Sequence, residues 1–310
     1  MIGAVAGVLS GLSLIWVIIV LGWALGRFRV LPSQAPEVLN RLVFFVASPA
    51  LLFATLAGLD VRTVFGPPLI IAGASAIGSA LLFVLYARIR RLDLGRTVVG
   101  AMSSSLNNAG HLGIPLATYI LGSPQHVLPV LVFQLGFFSP MYFVLSDLAG
   151  RSGKVSPGKV LRMIVTNPML IAAVLGISVS LTGLALPDVV FAPIETVAGL
   201  AVPAILIAFG LSLDAEKVLP ARAEAPTVAV ATVLKLAIHP LLAWVLARYA
   251  FGLSAPAVFA AVAMAGLPTA QNAYVAAFRA RTGEGLARSV VLSTTILVTP
   301  SLLVIAALLA

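Results

Sequence analysis

The chain has 310 residues, of which 61% are hydrophobic and 9% are charged. A soluble globular domain carries about a quarter charged residues, so this composition excludes that class and is typical of an integral membrane protein. The net charge of +9 lies mostly at the ends of apolar segments, and the chain has no cysteine; this favours membrane orientation over nucleic-acid binding and excludes disulfides and thiolate metal sites.

In chain order, ten apolar runs have the length of a membrane-spanning helix, about 17–25 residues. The first extends to about Leu25, which is too long for the apolar region of a signal peptide, and Glu37, Arg41 and Glu195 leave the starts of the second and seventh open. The connections are short, so the sequence predicts an all-α membrane protein with ten transmembrane helices and no soluble domain. We number these predicted spans 1 to 10: about 6–26, 36–57, 67–87, 97–121, 127–148, 163–182, 189–212, 226–249, 256–279 and 287–309.

The basic residues are distributed very unequally over the connections. Those after even-numbered spans carry only Arg62 and Arg248, and Lys235 lies inside span 8. Cytoplasmic loops carry the excess of Lys and Arg, so the odd-numbered connections are predicted to be cytoplasmic and both termini to lie outside the cytoplasm. The basic residues of the odd-numbered connections are Arg27, Arg29, Arg41, Arg88, Arg90, Arg91, Arg96, Arg151, Lys154, Lys159, Arg162, Lys217, Arg222, Arg279, Arg281 and Arg288.

Span 4 contains an unusual polar segment between Ser103 and Pro115. It includes three serines, Asn107, Asn108, His111 and two glycines. In hydrocarbon each polar group needs a partner or a water-lined cavity, and proline lacks an N–H and crowds the preceding turn. The sequence therefore predicts a helix that is broken near the middle of the bilayer and faces a small solute.

The two halves of the chain resemble each other at a nearly fixed offset. Residues 47–60 match residues 201–214, and Gly113-Ile114-Pro115 matches Gly266-Leu267-Pro268. Each half, about 1–150 and about 160–310, holds five predicted spans. Because five is an odd number of spans, the second half lies inverted in the membrane relative to the first. This is the inverted-repeat plan of secondary transporters. The sequence therefore predicts a single transmembrane unit made of two inverted repeats.

Span 9 carries the counterpart of the break in span 4. Pro268 is followed by Thr269, Gln271 and Asn272. If both spans are broken and cross, we expect each second half-helix to begin at its proline, where a missing N–H is harmless. The two positive helix ends, with the amides of Asn107, Asn108, Gln271 and Asn272, would then favour an anion. The alternative is that these amides only satisfy broken backbone or join helices.

Other polar side chains lie in or beside these spans. His111 could couple transport to protons or satisfy a carbonyl as a neutral imidazole. Lys235 and His239 share a helical face, and Lys235 could pair with an anion or a carboxylate, or stand in for a bound cation. Gln134, Ser293 and Thr294 lie in spans that would pack beside the breaks. No enzyme motif and no metal-ligand spacing occurs, so no cofactor is expected.

Two of these segments resemble signatures of the auxin efflux carrier family. Residues 107–116 look like its helix-4 signature, and residues 267–276 followed by 293–295 look like its carboxy-terminal signature. The resemblance covers essentially the whole chain, and the short length is similar to the bacterial members. It implies ten helices in two inverted repeats, akin to bile acid:sodium symporters, in a bacterial cytoplasmic membrane.

The resemblance also implies a mechanism. Helices 1, 2, 6 and 7 would form a scaffold, usually homodimeric, and helices 3–5 and 8–10 a transport domain that moves like an elevator. A small carboxylate would bind where helices 4 and 9 cross, at Asn107 or Asn108 and at Asn272. The predicted binding residues are Asn107, Asn108, His111, Gly113, Pro115, Pro268, Thr269, Gln271 and Asn272, with coupling or support from Lys235, His239, Gln134, Ser293 and Thr294.

Three functions remain open at this stage. The first is a secondary carrier of a small organic anion. The second is sodium-coupled uptake of an organic acid, which the lack of carboxylates in the middle of spans 4, 5, 9 and 10 disfavours. The third is an anion channel or a membrane receptor that does not transport.

Overall fold

A computed structural model describes residues 2–58, 64–150, 158, 161–162, 165–212 and 224–309. Several residues named above lie outside this description: Asp60, Arg62, Arg151, Lys154, Lys159, Asp214, Lys217 and Arg222. Most of the described residues are helical, and they form no strand. The helices are α1 (Ile2–Arg27), α2 (Ala35–Ala57), α3 (Pro67–Ile89), α4 (Leu94–Ser105), α5 (Ile114–Tyr119), α6 (124–149), α7 (Pro168–Thr182), α8 (188–212), α9 (Ala225–Ala250), α10 (Ala255–Ala265), α11 (Asn272–Ala280) and α12 (Glu284–Leu309).

Six helices in the described part of the chain are long and apolar enough to cross a membrane. They are α2, α3, residues 124–146 of α6, residues 188–211 of α8, α9 and α12. Shorter apolar helices occur in α1, α7 and α10. The all-α membrane architecture is therefore confirmed, whereas the ten crossings and the inverted repeat stay predictions.

The predicted interruptions in spans 4 and 9 are confirmed. Span 4 consists of α4 and α5, and span 9 consists of α10 and α11. Leu106 has an extended backbone (φ −81°, ψ 122°) at the end of α4. In span 9 the chain leaves the helix at Gly266 and re-enters it at Asn272.

Four prolines stand at the same place relative to a π-helical turn. Pro49, Pro115, Pro140 and Pro240 each come two residues after such a turn has ended. A proline ring clashes with the carbonyl of residue i−4 and leaves it without an N–H. A π turn adds one residue and moves that carbonyl aside, so these helices accommodate proline by widening.

Glycines let two helix pairs approach backbone to backbone. A Cβ on Gly210 of α8 would lie 2.8 Å from the backbone N of Trp23 and 2.9 Å from the Cα of Gly22 in α1. Likewise, a Cβ on Gly176 of α7 would lie 2.9 Å from the backbone O of Phe53 in α2. These four helices coincide with the predicted scaffold spans.

A separate apolar cluster joins the remaining helices. It is built around Phe83 of α3, Met102 of α4, Phe138 of α6, Leu234 of α9 and Leu286 of α12. All its described members come from spans predicted to form the transport domain. The second group of helices thus has an apolar cluster of its own, whereas the larger cluster of the described residues joins both groups, for example Ile19 and Leu206 with Leu112 and Leu302.

We expect the substitution Gly210→Ala to destabilise the protein more than Gly199→Ala on the same helix. The methyl group at position 210 would meet immovable backbone, and overpacking of this kind costs about 1–3 kcal/mol. At Gly199 a Cβ has nothing within 4 Å. The melting temperatures of both purified variants in detergent test this, and equal values would contradict the close α1–α8 approach.

Candidate functional site

The two breaks are joined to each other by backbone hydrogen bonds. The N–H of Asn108 donates to the Pro268 carbonyl (2.8 Å), and the N–H of Ala270 donates to the Leu106 carbonyl (3.1 Å). Asn107 and Thr269 thereby form an antiparallel bridge. We call this feature the backbone clip. It shows that spans 4 and 9 meet at their interruptions, as the sequence predicted.

Gln134 satisfies the backbone of Asn107 on the other side of the clip. Its Oε1 accepts from the Asn107 N–H, and its Nε2 donates to the Asn107 carbonyl at 3.0 Å. Gln134 is buried and is the first residue of the π turn in α6. A buried backbone group without a partner is costly, so this amide supports the break.

Hydroxyl groups complete the support of the clip. The Thr269 N–H donates to Thr294 Oγ1 (3.0 Å), and Thr269 Oγ1 donates to the Ser103 carbonyl (2.6 Å). Ser79 Oγ of α3 donates to the Ser104 carbonyl (2.7 Å). Thr269 and Thr294 are fully buried, so their hydroxyls serve the clip. Sequence reasoning missed Ser79, which a search for small polar residues on the inward face of span 3 could have found.

A cavity of about 100 Å³ lies against the clip. One wall comes from the two breaks, and the opposite wall comes from α2, α7 and α8. Gln134 and Ser139 of α6 also contribute. The breaks supply Leu106, Asn107, Asn108, Gly110, His111, Ala270, Gln271 and Asn272, and the opposite wall includes Asn40, Val43, Phe44, Ser48, Met169 and Ile205. We call this space the crossing cavity.

The N-terminal ends of both second half-helices lie in the wall of the crossing cavity. Asn108 caps the first of them, because its Oδ1 accepts from the His111 N–H at 3.2 Å. The second begins at Asn272, and the preceding Gln271 makes no side-chain cap. Helix N-termini carry partial positive charge, so both ends favour a negatively charged group in the space between them.

Two amide groups at the clip have unused hydrogen-bonding capacity. Asn108 Nδ2 and Asn107 Oδ1 are buried, and neither bonds to another group of the described residues. Asn272 is exposed at the cavity. The described lining contains no Asp, Glu, Lys or Arg. The cavity therefore offers neutral amide groups, with one unpaired acceptor as well as donors, and helix ends to a ligand.

The expectation that each second half-helix begins at its proline is wrong for span 9. In span 4 it holds for the α-helical part, because α5 begins at Ile114 and has Pro115 in its first turn. The first half-helix begins with a π turn at Ala109, six residues before Pro115, and α11 begins four residues after Pro268. In span 9 the reason lies in the clip, which uses the carbonyl of Pro268 and the N–H of Ala270. Four of the predicted binding residues lie in the packing around the clip and are not among the described residues that line the crossing cavity: Gly113, Pro115, Pro268 and Thr269.

Lys235 and His239 lie outside the crossing cavity. Both side chains are fully buried in α9. Lys235 Nζ donates to the carbonyl of Ala265 (2.8 Å), the last residue of α10, and lies 3.2 Å from His239 Nδ1. The contact with Ala265 satisfies a carbonyl that the C-terminal end of α10 leaves without a helical partner. Ser293 is half-buried on α12 and does not line the crossing cavity either.

Comparison with known proteins identifies the family. A family profile described as "Membrane transport protein" matches residues 8–306. The chain belongs to this family. The resemblance to auxin efflux carriers is thereby confirmed, and the protein is a membrane transporter.

Relatives agree with this assignment. An "Uncharacterized transporter" of Methanothermobacter thermautotrophicus is 30% identical over 91% of both chains. A protein of Rhizobium meliloti named "Putative malonate transporter" is 25% identical over 90% of this chain and 89% of its own. A transporter of Methanocaldococcus jannaschii is 23% identical over 65% of this chain and 67% of its own.

We expect Gln134→Leu to destabilise the protein strongly. The substitution leaves the buried N–H and carbonyl of Asn107 without partners, at about 1–3 kcal/mol for each group. Gln125→Leu is the matched control on the same helix. The backbone N–H of Gln125 donates a hydrogen bond to Ser123 Oγ, and the substitution keeps this bond. Thermal unfolding in detergent compares the two. A Gln134→Leu variant as stable as the control would show that the clip does not depend on this amide.

Proposed function

We propose that the protein is a secondary carrier of a small organic anion, bound as a carboxylate in the crossing cavity. The observation that carries the proposal is the meeting of two helix N-termini with the unpaired Nδ2 of Asn108 at one cavity. All of these groups are donors or positive dipole ends. Such an arrangement favours an anion, and the unpaired Asn107 Oδ1 beside it adds one acceptor.

The size and the charge of the crossing cavity narrow the substrate class. A volume of about 100 Å³ suits a compact acid better than a steroid-like one, since drug-sized ligands occupy roughly 300–1,000 Å³. The name of the Rhizobium relative makes malonate the first compound to test. His111 would lie beside the substrate as a neutral residue. Its contribution would be the N-terminal end of the half-helix to which it belongs.

The transport step we propose is a movement of α3–α6 and α9–α12 against α1, α2, α7 and α8. The crossing cavity lies between these two groups, so a displacement of one group would expose the site alternately to each side. We propose this mechanism together with ten membrane crossings, two inverted repeats and a homodimeric scaffold. Gly113, Pro115, Pro268 and Thr269 would shape the moving site without contacting the substrate.

Sodium-coupled uptake and channel activity predict different measurements. Sodium coupling requires that uptake depends on a sodium gradient. A channel gives flux that does not saturate with substrate. No contact within the described residues favours sodium coupling or channel activity. Malonate uptake into proteoliposomes, measured with and without sodium, separates both functions from the proposed carrier.

We expect Asn108→Ser and Asn272→Ala each to lower malonate uptake at least tenfold in proteoliposomes. Serine keeps an oxygen that can cap the His111 N–H but removes the free Nδ2 donors, and a hydrogen bond to a charged group is worth about 1.5–3 kcal/mol. Thr196→Val, on the exposed side of α8, is the control. Full uptake by both asparagine variants would remove the assignment of the site.

We further expect both termini and the α9–α10 connection to lie outside the cytoplasm of a bacterial inner membrane. The chain has no cysteine, so single cysteines can be labelled without background. Ser254→Cys in that connection should react with a membrane-impermeant maleimide in intact cells, and Ser33→Cys after α1 should not. Both positions are exposed. The reverse labelling pattern would invert the proposed topology.

A further inference from the structure

Three helices are followed by an arginine whose backbone is left-handed. Arg29 follows α1, Arg91 follows α3 and Arg281 follows α11, with φ values of 55°, 52° and 53°. At each of these ends the N–H of the next residue donates to the carbonyl five residues before it, at 3.0, 2.9 and 3.1 Å. This hydrogen bond is characteristic of the Schellman motif that closes a helix. We call these three residues the end arginines.

Glycine is the residue expected at such a position. Without a Cβ it adopts a positive φ at no steric cost, whereas another L-residue is strained there. The protein uses glycine in this way just after α5, α7 and α9, at Gly122, Gly183 and Gly252. Gly283, the remaining described residue with a positive φ, precedes α12 and does not close a helix. The end arginines therefore keep a strain that glycine would remove.

The two kinds of helix end lie on opposite sides of the proposed topology. The helices α1, α3 and α11 end on the cytoplasmic side, and α5, α7 and α9 end on the outer side. The choice between arginine and glycine thus follows the side of the membrane, although the backbone conformation is the same. The cytoplasmic leaflet contains anionic lipids and has a negative surface potential. This gives a physical reason for a cation where the backbone alone favours glycine.

The guanidinium groups of the end arginines are available to a negatively charged surface. All three side chains are exposed, and none forms a salt bridge with a carboxylate of the described residues. The carboxylate nearest to Arg91 in sequence belongs to Asp93, which is paired with Arg96 at 3.6 Å. The end arginines therefore carry charges that the described part of the protein does not neutralise.

Exposed apolar side chains accompany each end arginine. Phe28, directly before Arg29, is 74% exposed, and Ile89, two residues before Arg91, is 72% exposed. Phe278, three residues before the third end arginine, is 61% exposed. Arginines near the ends of membrane helices extend their charge to the interface while apolar groups stay in the lipid. This neighbourhood fits a lipid headgroup better than a soluble anion.

We propose that the end arginines bind the headgroups of anionic phospholipids in the cytoplasmic leaflet. A guanidinium group forms paired hydrogen bonds with a phosphate, and this interaction compensates the strain of the left-handed backbone. Arg29 belongs to the predicted scaffold and the other two to the predicted transport domain, so the lipid contact extends over both groups of helices. The inference uses the proposed topology, which cysteine labelling tests separately, and does not depend on the substrate.

Melting temperatures of the purified full-length protein in a neutral detergent test the proposal, with either phosphatidylglycerol or phosphatidylcholine added to the micelles. We expect phosphatidylglycerol to raise the melting temperature, and phosphatidylcholine to have less than half of this effect. Glycerol phosphate, which has the headgroup charge without acyl chains, should produce no shift. The triple variant Arg29→Gln, Arg91→Gln and Arg281→Gln should lose at least half of the phosphatidylglycerol shift.

Two further triple variants separate lipid binding from net charge and from strain. The strain control places glycine at all three end positions. It should melt higher in neutral detergent than the glutamine variant, since both lack the charge and only glycine relieves the backbone. The charge control should keep at least three quarters of the phosphatidylglycerol shift. It replaces three exposed arginines without a positive φ: Arg41→Gln, Arg162→Gln and Arg248→Gln.

Four results would overturn the proposal. They are equal shifts with both lipids, the same shift with glycerol phosphate alone, an equal loss of the shift in the charge control, and a glycine variant that melts no higher than the glutamine variant. Should a triple variant fail to fold, Arg281→Gln and Arg281→Gly give the same comparisons as single substitutions.

Discussion

The structure depends on the pairing of two broken backbones inside the membrane-spanning part of the molecule. An interrupted helix leaves N–H and carbonyl groups that hydrocarbon cannot satisfy, at several kcal/mol each. Here the two interruptions satisfy each other at Leu106, Asn108, Pro268 and Ala270. Either break alone would leave unpaired backbone groups at a high cost in free energy. Each break is therefore stable only because the other supplies its hydrogen-bond partners.

Distortions of neighbouring helices bring the supporting side chains to the clip. Gln134 and Lys235 are the first and second residues of π turns in α6 and α9. Each reaches the backbone of a break, one at Asn107 and the other at Ala265. The prolines that follow these turns account for the widened geometry. The proline and the polar side chain thus act together. The proline widens the helix, and the polar side chain on the widened turn contacts the break.

The sequence alone predicted the two helix breaks and the contact between them. Asn, Gly and Pro inside an apolar run of a membrane protein usually mark an interrupted helix at a binding site. Sequence reasoning did not reach the start of α11, since the use of the Pro268 carbonyl by the Asn108 N–H joins residues far apart in sequence. The role of Gln134 was equally out of reach. A 3.6-residue period assumes a regular α-helix, and the π turns change which side chains face inward. The packing of Gly210 against α1 also depends on which helices become neighbours.

The neutral character of the crossing cavity has a consequence for transport. A fixed cation about 4 Å from a carboxylate contributes about 4 kcal/mol at an effective dielectric constant of 20, which is roughly a thousandfold in affinity. A carrier must release its substrate on the other side, and such retention slows release. Amides and helix ends give weaker, additive contacts. Lys235 is held at the C-terminus of α10 by the Ala265 carbonyl and does not line the crossing cavity. Its amino group can therefore support the end of α10 without binding the substrate directly.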